Sequence, residues 1–180
     1  MTIENLYEIF KKCGKVSTDT RNIIPNSIFF ALKGEKFDAN EFVNQALVIG
    51  AAYCVLSNRK FFLGEKTILV DDTLKTLQEL AKYNRNQLNT KIIALTGSNG
   101  KTTTKELIYR VLSSKYSTIA TQGNLNNHIG VPLTLLCIDN SYEFAVVEMG
   151  ANHIGEIQEL CEIAQPNCRS EEHTSELQSR

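Results

Sequence analysis

Apolar positions along the chain fall into short unbroken runs and stripes at helical spacing. Leu6, Ile9 and Phe10 mark one face of a short amphipathic helix. Residues 27–32 (SIFFAL) are an apolar run between Pro25-Asn26 and Lys33-Gly34, which predicts a buried strand. Phe42, Ala46, Leu47 and Ile49 return to helical spacing, and Gly50 predicts the stop. Residues 52–56 and 67–70 (TILV) predict two further strands. Asp71 or Asp72 is placed to cap the next helix, whose stripe is Leu74, Leu77, Ala81 and Leu88. Strands alternating with helices predict a small α/β domain over residues 1–88.

A second α/β domain is expected over residues 89–168. Residues 91–95 (KIIAL) predict a buried strand, and residues 101–113 a helix with Leu107, Ile108, Val111 and Leu112 facing inward. Residues 116–121 predict a strand, and residues 144–149 (FAVVEM) another, nearly all apolar as a central parallel strand requires. Ile154, Ile157, Leu160, Cys161 and Ala164 predict one face of a closing helix. Strand, loop, helix, strand and helix in this order predict a doubly wound, nucleotide-binding layout. There is no internal repeat.

Composition narrows the class. Of 180 residues, 42% are hydrophobic and 22% charged, which excludes collagen, low-complexity disorder and a disulfide-stapled miniprotein. Nineteen basic residues against 20 acidic ones leave a formal charge of −1, so no bulk field recommends nucleic acid or an anionic membrane as partner. The longest apolar stretch, residues 48–56, is interrupted by Gly50 and is too short to span a bilayer, which takes about 20 residues. The N-terminus lacks a basic region followed by an apolar one, so no secretory signal is read. Five cysteines without a C-x-x-C pair read as free thiols, and a cytoplasmic location is expected.

The last twelve residues, RSEEHTSELQSR, have one apolar residue and no periodicity. Eleven of them look like a translated sequencing-library adapter. Residues 169–180 are therefore expected to be a non-native tail, with the native sequence interrupted inside the second domain, and His173 is set aside from site arguments.

The sharpest chemistry lies in Thr96-Gly97-Ser98-Asn99-Gly100-Lys101-Thr102-Thr103-Thr104, between a predicted strand and a predicted helix. Glycines let a backbone wrap a polyphosphate and turn its N–H groups inward, and a helix N-terminus adds a favourable dipole. Lys101 is suited to β/γ-phosphate charge, and the Thr102 hydroxyl to Mg²⁺. The spacing is shorter than G-x-x-x-x-G-K-S/T, since Leu95 stands where the first glycine would be. Such a loop needs a carboxylate at the end of a neighbouring strand, and Glu148 is the candidate; the alternative is an edge glutamate paired with a lysine. His153 is a candidate metal or substrate contact, or equally a helix-capping residue. Asn124, Asn126 and Asn127, with His128, form an amide-rich loop fit to bind a sugar or peptide, or simply to turn the chain.

Three blocks in order, TGSNGKTTTKELI, TQGNLNNHIGVPLTLL and FAVVEMGANHIGEI, resemble the central ATPase domain of the Mur ligase family. Residues 17–21 (STDTR) and 29–42 (FFALKGEKFDANEF) resemble the family's N-terminal domain, which holds the uridine end of the substrate. The resemblance covers residues 1–167, and its second and third blocks are most similar to the branch that adds D-alanyl-D-alanine. It implies a small N-terminal α/β domain followed by an incomplete P-loop-type parallel-sheet ATPase domain. It implies ATP and Mg²⁺, with UDP-N-acetylmuramoyl-tripeptide and D-alanyl-D-alanine joined through an acyl phosphate, in a soluble monomer of peptidoglycan synthesis. Catalytic roles are implied for Lys101, Glu148 and His153. Gly97, Ser98, Asn99, Gly100, Lys101, Thr102 and Thr103 would bind the nucleotide, with Thr102 and Glu148 on the metal. Thr18, Asp19, Arg21, Lys33, Gly34 and Glu35, together with Asn124, Asn126 and Asn127, would bind the substrate. The 180 residues alone are expected to give no ligase turnover, because strands of the second sheet and the family's third domain are missing. Alternatives are a family member adding the third stem-peptide residue, a non-catalytic uridine-nucleotide-binding fragment, and a generic P-loop ATPase or kinase.

Overall fold

A computed structural model of the chain describes residues 1–34 and 37–172, with the side chains of residues 171 and 172 left aside. It divides into two compact units, Met1–Asn84 and a second beginning at Arg85. The division falls inside a helix, a little before residue 88 where the sequence pattern changes.

In the first unit, α1 (Ile3–Cys13), β1 (Val16–Ser17), β2 (Ile28–Phe30), α2 (Val43–Ile49), β3 (Tyr53–Leu56) and β4 (Thr67–Leu69) lead into α3 (Thr73–Asn86). The four strands are parallel in the order β1-β2-β3-β4. Parallel strands buried on both faces need continuous apolar sequence, and Ile28, Phe29 and Phe30 are all fully buried. Phe29 and Cys54 pack with Val43 and Ala46 of α2. The Cys54 thiol donates to the Val43 carbonyl, and burial pushes it up to about 12, so it is an inert core group. Gly50 ends α2 as expected, its N–H reaching the Ala46 and Leu47 carbonyls. Of the two candidate caps for α3, Asp72 does the work, accepting from the Lys75 N–H at 2.9 Å. The α3 stripe is Leu77, Leu80 and Ala81; Leu88 lies beyond the helix end.

The second unit contains β5 (Lys91–Gly97), α4 (Lys101–Ser113), β6 (Thr118–Ala120), α5 (Gly130–Leu136), β7 (Phe144–Glu148), α6 (Glu156–Ala164) and β8 (Cys168–Glu172). All four strands are parallel, in the order β6-β7-β5-β8. Both sheets are parallel, as the expected α/β class allows.

Four details differ from the sequence expectation. In α4 the inward face carries the buried Lys105 with the half-buried Ile108 and Leu112, while Leu107 is 59% and Val111 70% exposed. The i, i+3, i+7 stripe begins at a lysine whose hydrocarbon stem packs like an apolar side chain once its amine finds a partner. Residues 130–136, left without an element, form α5; Pro132 sits in its first turn, where no intrahelical N–H is needed. The closing helix begins at Glu156, leaving Ile154 fully exposed before it. Finally, β8 pairs with β5 through residue 172, so the strand takes in the first four residues of the segment expected to be a non-native tail. An edge strand is held by main-chain hydrogen bonds and tolerates charged side chains, so polarity alone did not exclude it. The β5 backbone therefore has a partner on each side.

Candidate nucleotide and substrate sites

The centre of the second unit is where β5 gives way to α4. Gly100 caps α4 at φ 77°, a left-handed conformation that favours glycine. The first N–H groups of the helix point into the bend, without partners of their own within the helix. Lys101 folds back across the bend, its Nζ donating to the Gly97 carbonyl at 2.6 Å.

Glu148 ends β7, opposite Leu95 of β5. Its carboxylate faces the bend and is only 2% exposed. Oε2 accepts from the Thr102 hydroxyl at 3.1 Å, and Oε1 accepts from the Asn126 amide at 2.8 Å. The Glu148 N–H donates to the Thr121 hydroxyl at 3.0 Å. A buried carboxylate must be satisfied by donors or a cation, and the two side-chain donors that reach Glu148 are both neutral. Thr102 and Glu148 thus offer two hard oxygen atoms side by side at a helix N-terminus. That donor set fits Mg²⁺, which is commonly held by one or two protein oxygens plus substrate phosphates and water.

The amide-rich loop divides its work. Asn126 holds Glu148, and its carbonyl accepts from the Gly150 N–H at 2.7 Å. Asn127 is exposed, its Oδ1 accepting from the Ile129 and Gly130 N–H groups and capping the start of α5. Asn124 is exposed. The His153 main-chain N–H, with that of Asn152, donates to Glu156 Oε2 at the start of α6, whose N-cap is Gly155. These two backbone donors hold the Glu156 carboxyl below its ordinary range. Among the described residues, no hydrogen bond joins the His153 ring to Glu148 or Thr102.

In the first unit, Thr18, Asp19, Thr20 and Arg21 line a cleft of about 580 Å³ with Phe29, Phe37, Ala39 and Phe42. Phe37 and Phe42 stack at 5.4 Å and 17°. Lys33 and Gly34 lie apart from this lining, in a turn where the Gly34 N–H donates to the Phe37 carbonyl. Glu35 lies outside the described residues. The Arg21 guanidinium, then its N–H, hold the Asp19 carboxyl down to about 2. A depressed carboxyl keeps its pairing energy above its unfolded value near 4 and loses it as pH falls through 2. A carboxyl-detected NMR titration should place the Asp19 midpoint near 2, and Arg21→Gln should raise it part of the way toward about 4, since the main-chain N–H of residue 21 still donates. An unchanged midpoint in the variant would exclude the guanidinium as its cause.

Sequence reasoning missed Lys105 and Thr121: the Thr121 hydroxyl accepts the Glu148 N–H, and the Thr121 carbonyl accepts from the Lys105 ammonium. The available signal was helical spacing: Lys101 and Lys105 are four apart, on one face of α4.

Residues 95–169 match the Mur ligase middle domain, and this part of the chain belongs to the Mur ligase family. Its similarity is to members that add D-alanyl-D-alanine. It is 45% identical over 157 residues to the UDP-N-acetylmuramoyl-tripeptide–D-alanyl-D-alanine ligase of Haemophilus influenzae, covering 85% of this chain and 34% of that protein. A crystal structure of MurF from Acinetobacter baumannii superposes with a TM-score of 0.81 at 36% identity, covering 94% of this chain and 40% of that one. MurF ligase from Thermotoga maritima, solved in complex with ADP, gives 0.74 at 33% identity, with 84% and 35% covered. The chain spans a third to two fifths of the length of these relatives. Among the described residues, no helix is long and apolar enough to cross a membrane.

Proposed function

We propose that the β5–α4 bend binds the phosphates of ATP with Mg²⁺, and that a protein of its relatives' length carrying this sequence joins D-alanyl-D-alanine to UDP-N-acetylmuramoyl-tripeptide. The observation that carries the nucleotide half is the 3.1 Å contact between the Thr102 hydroxyl and the buried Glu148 carboxylate, at the mouth of a helix N-terminus. The activity of its relatives supports the ligase half.

In this reading, the backbone N–H groups of residues 99–103 receive the phosphates, and Lys101 exchanges its Gly97 carbonyl for phosphate oxygen. Mg²⁺, when bound by Thr102 and Glu148, supplies charge neutralisation for phosphoryl transfer. Asn126 keeps the carboxylate turned toward Thr102. His153, Asn124 and the cleft around Arg21 are assigned to the muramyl-peptide substrate, with Phe37 and Phe42 beside its nucleotide end. Lys33, Gly34 and Glu35 remain assigned near the same end. Acyl transfer then follows from positioning the substrate carboxylate against the terminal phosphate, and the dipeptide amine against the resulting acyl phosphate. A cytoplasmic setting suits five free thiols.

Calorimetry with ADP and Mg²⁺ tests the site. Lys101→Ala should weaken binding by at least tenfold, or about 1.4 kcal/mol. Wild-type affinity in that variant would remove Lys101 from the phosphate site. In a chain of the relatives' length, ADP release should require both the muramyl-tripeptide and D-alanyl-D-alanine. Release with ATP alone would favour a simple ATPase.

A further inference from the structure

We propose that Lys105 is a positioning residue that sets the Glu148 carboxylate against Thr102 by acting through Thr121; this rests on the nucleotide reading above. Lys105 stands one helical turn beyond Lys101 and is 1% exposed. An ammonium group is costly to bury, so its contacts mark what it is held for. Its Nζ donates to the Thr121 carbonyl at 2.7 Å and pairs with Glu106 at 3.1 Å. The Glu106 side chain is half exposed, and such a partner contributes little net stability. The inward contact, to Thr121, is the one that reaches the site.

Thr121 is a hub at the end of β6. Its carbonyl takes Lys105, its N–H donates to the Val146 carbonyl at 2.9 Å, and its hydroxyl accepts the Glu148 N–H. The carboxylate of Glu148 then returns to α4 at Thr102. Lys105 and Thr102 lie three residues apart on the same helix, so the contacts close a ring: helix, β6, β7, helix. The ring fixes the spacing of the two oxygen atoms that suit Mg²⁺. Lys105 itself touches neither: among the described residues, no ion pair joins it to Glu148. A methionine at this position would fill the same space and leave the Thr121 carbonyl buried without its donor.

The test is ADP affinity measured with and without Mg²⁺ on the 180-residue chain, alongside circular dichroism and melting temperature. The wild type should bind ADP more tightly with the metal. Lys105→Met should keep the metal-free affinity and lose the metal-dependent gain by about tenfold or more, the usual consequence of removing support from a ligand. Lys105→Arg should recover part of that gain, and Glu106→Gln should retain all of it. Thr121→Val keeps the carbonyl but removes the acceptor for Glu148, and should reproduce the loss. A merely structural lysine would instead lower the melting temperature, or both affinities together. A folded Lys105→Met with the full metal-dependent gain overturns the proposal; if that variant does not fold, full gain in Thr121→Val overturns it. Absence of any metal-dependent gain in the wild type would instead sink the nucleotide reading, and is distinguishable because it needs no variant.

Discussion

Arg85→Met is expected to destabilise the second unit by about 3–5 kcal/mol, one of the two largest effects anticipated for this chain. Arg85 is buried and uses its guanidinium as a clamp. Nε donates to the Ala164 carbonyl at 3.0 Å; one terminal nitrogen donates to the Leu88 and Thr90 carbonyls, and the other to the Gln165 carbonyl and Asn167 Oδ1. Asn167 Oδ1 also accepts the Ile92 N–H, so the clamp joins the end of α6 to the start of β5. Each hydrogen bond from a charged donor is worth about 1.5–3 kcal/mol, and they share one group, so they do not add. Methionine keeps much of the packing but leaves several buried carbonyls without donors. Lysine has three donors on a point charge against five in a planar fork, so Arg85→Lys should recover only part. The chain has no tryptophan, so urea unfolding is best followed by far-ultraviolet circular dichroism, with hydrogen exchange on β5 and β7 to isolate the second unit. An unchanged transition would mean that water replaces the guanidinium without loss.

What was legible in the sequence was whatever local pattern decides. Residues 28–30, 54–56 and 145–147 are apolar without interruption, and only doubly buried parallel strands need that. The bend before α4 was legible because glycines, a lysine and a hydroxyl residue stand between a strand and a helix. Glu148 was legible because a carboxylate closes an otherwise apolar strand, and it accepts from the Thr102 hydroxyl.

What was not legible depends on partners distant in sequence. Lys105 looks like a surface lysine until the Thr121 carbonyl, sixteen residues on, is brought to its amine. Leu107 and Val111 look like core until the helix phase is set by that lysine. Asn126 and Asn127 have the same chemistry and adjacent positions, yet one holds a carboxylate and the other caps a helix. Composition cannot separate them; only the direction of the chain through the loop does. Arg85 was passed over for the same reason, since its acceptors Ala164 and Gln165 lie about eighty residues away.

The direction of that loop is itself set by a glycine, and Gly130→Ala is expected to show it. A methyl group at Gly130 would stand 2.3 Å from the Leu125 carbonyl carbon and 2.5 Å from its Cα. Those are main-chain atoms, which cannot swing aside as the end of a side chain can. Alanine favours a helix by about 1 kcal/mol over glycine, but inserting a methyl group into a filled space costs about 1–3 kcal/mol and more where backbone must move. The clash wins, and a net loss of about 2–3 kcal/mol is expected. The displaced segment carries Asn126, whose amide holds Glu148 and whose carbonyl holds the Gly150 N–H. Loss of stability should therefore come with loss of Mg²⁺-dependent ADP affinity. Asn127→Ala separates the two effects. It removes the α5 cap, costs about 1 kcal/mol, and should leave most of the metal-dependent affinity in place. Melting temperature and ADP affinity on both variants decide the matter. If Gly130→Ala melts as the wild type does, the loop has room to yield, and Asn126 is not held on Glu148 by that close approach.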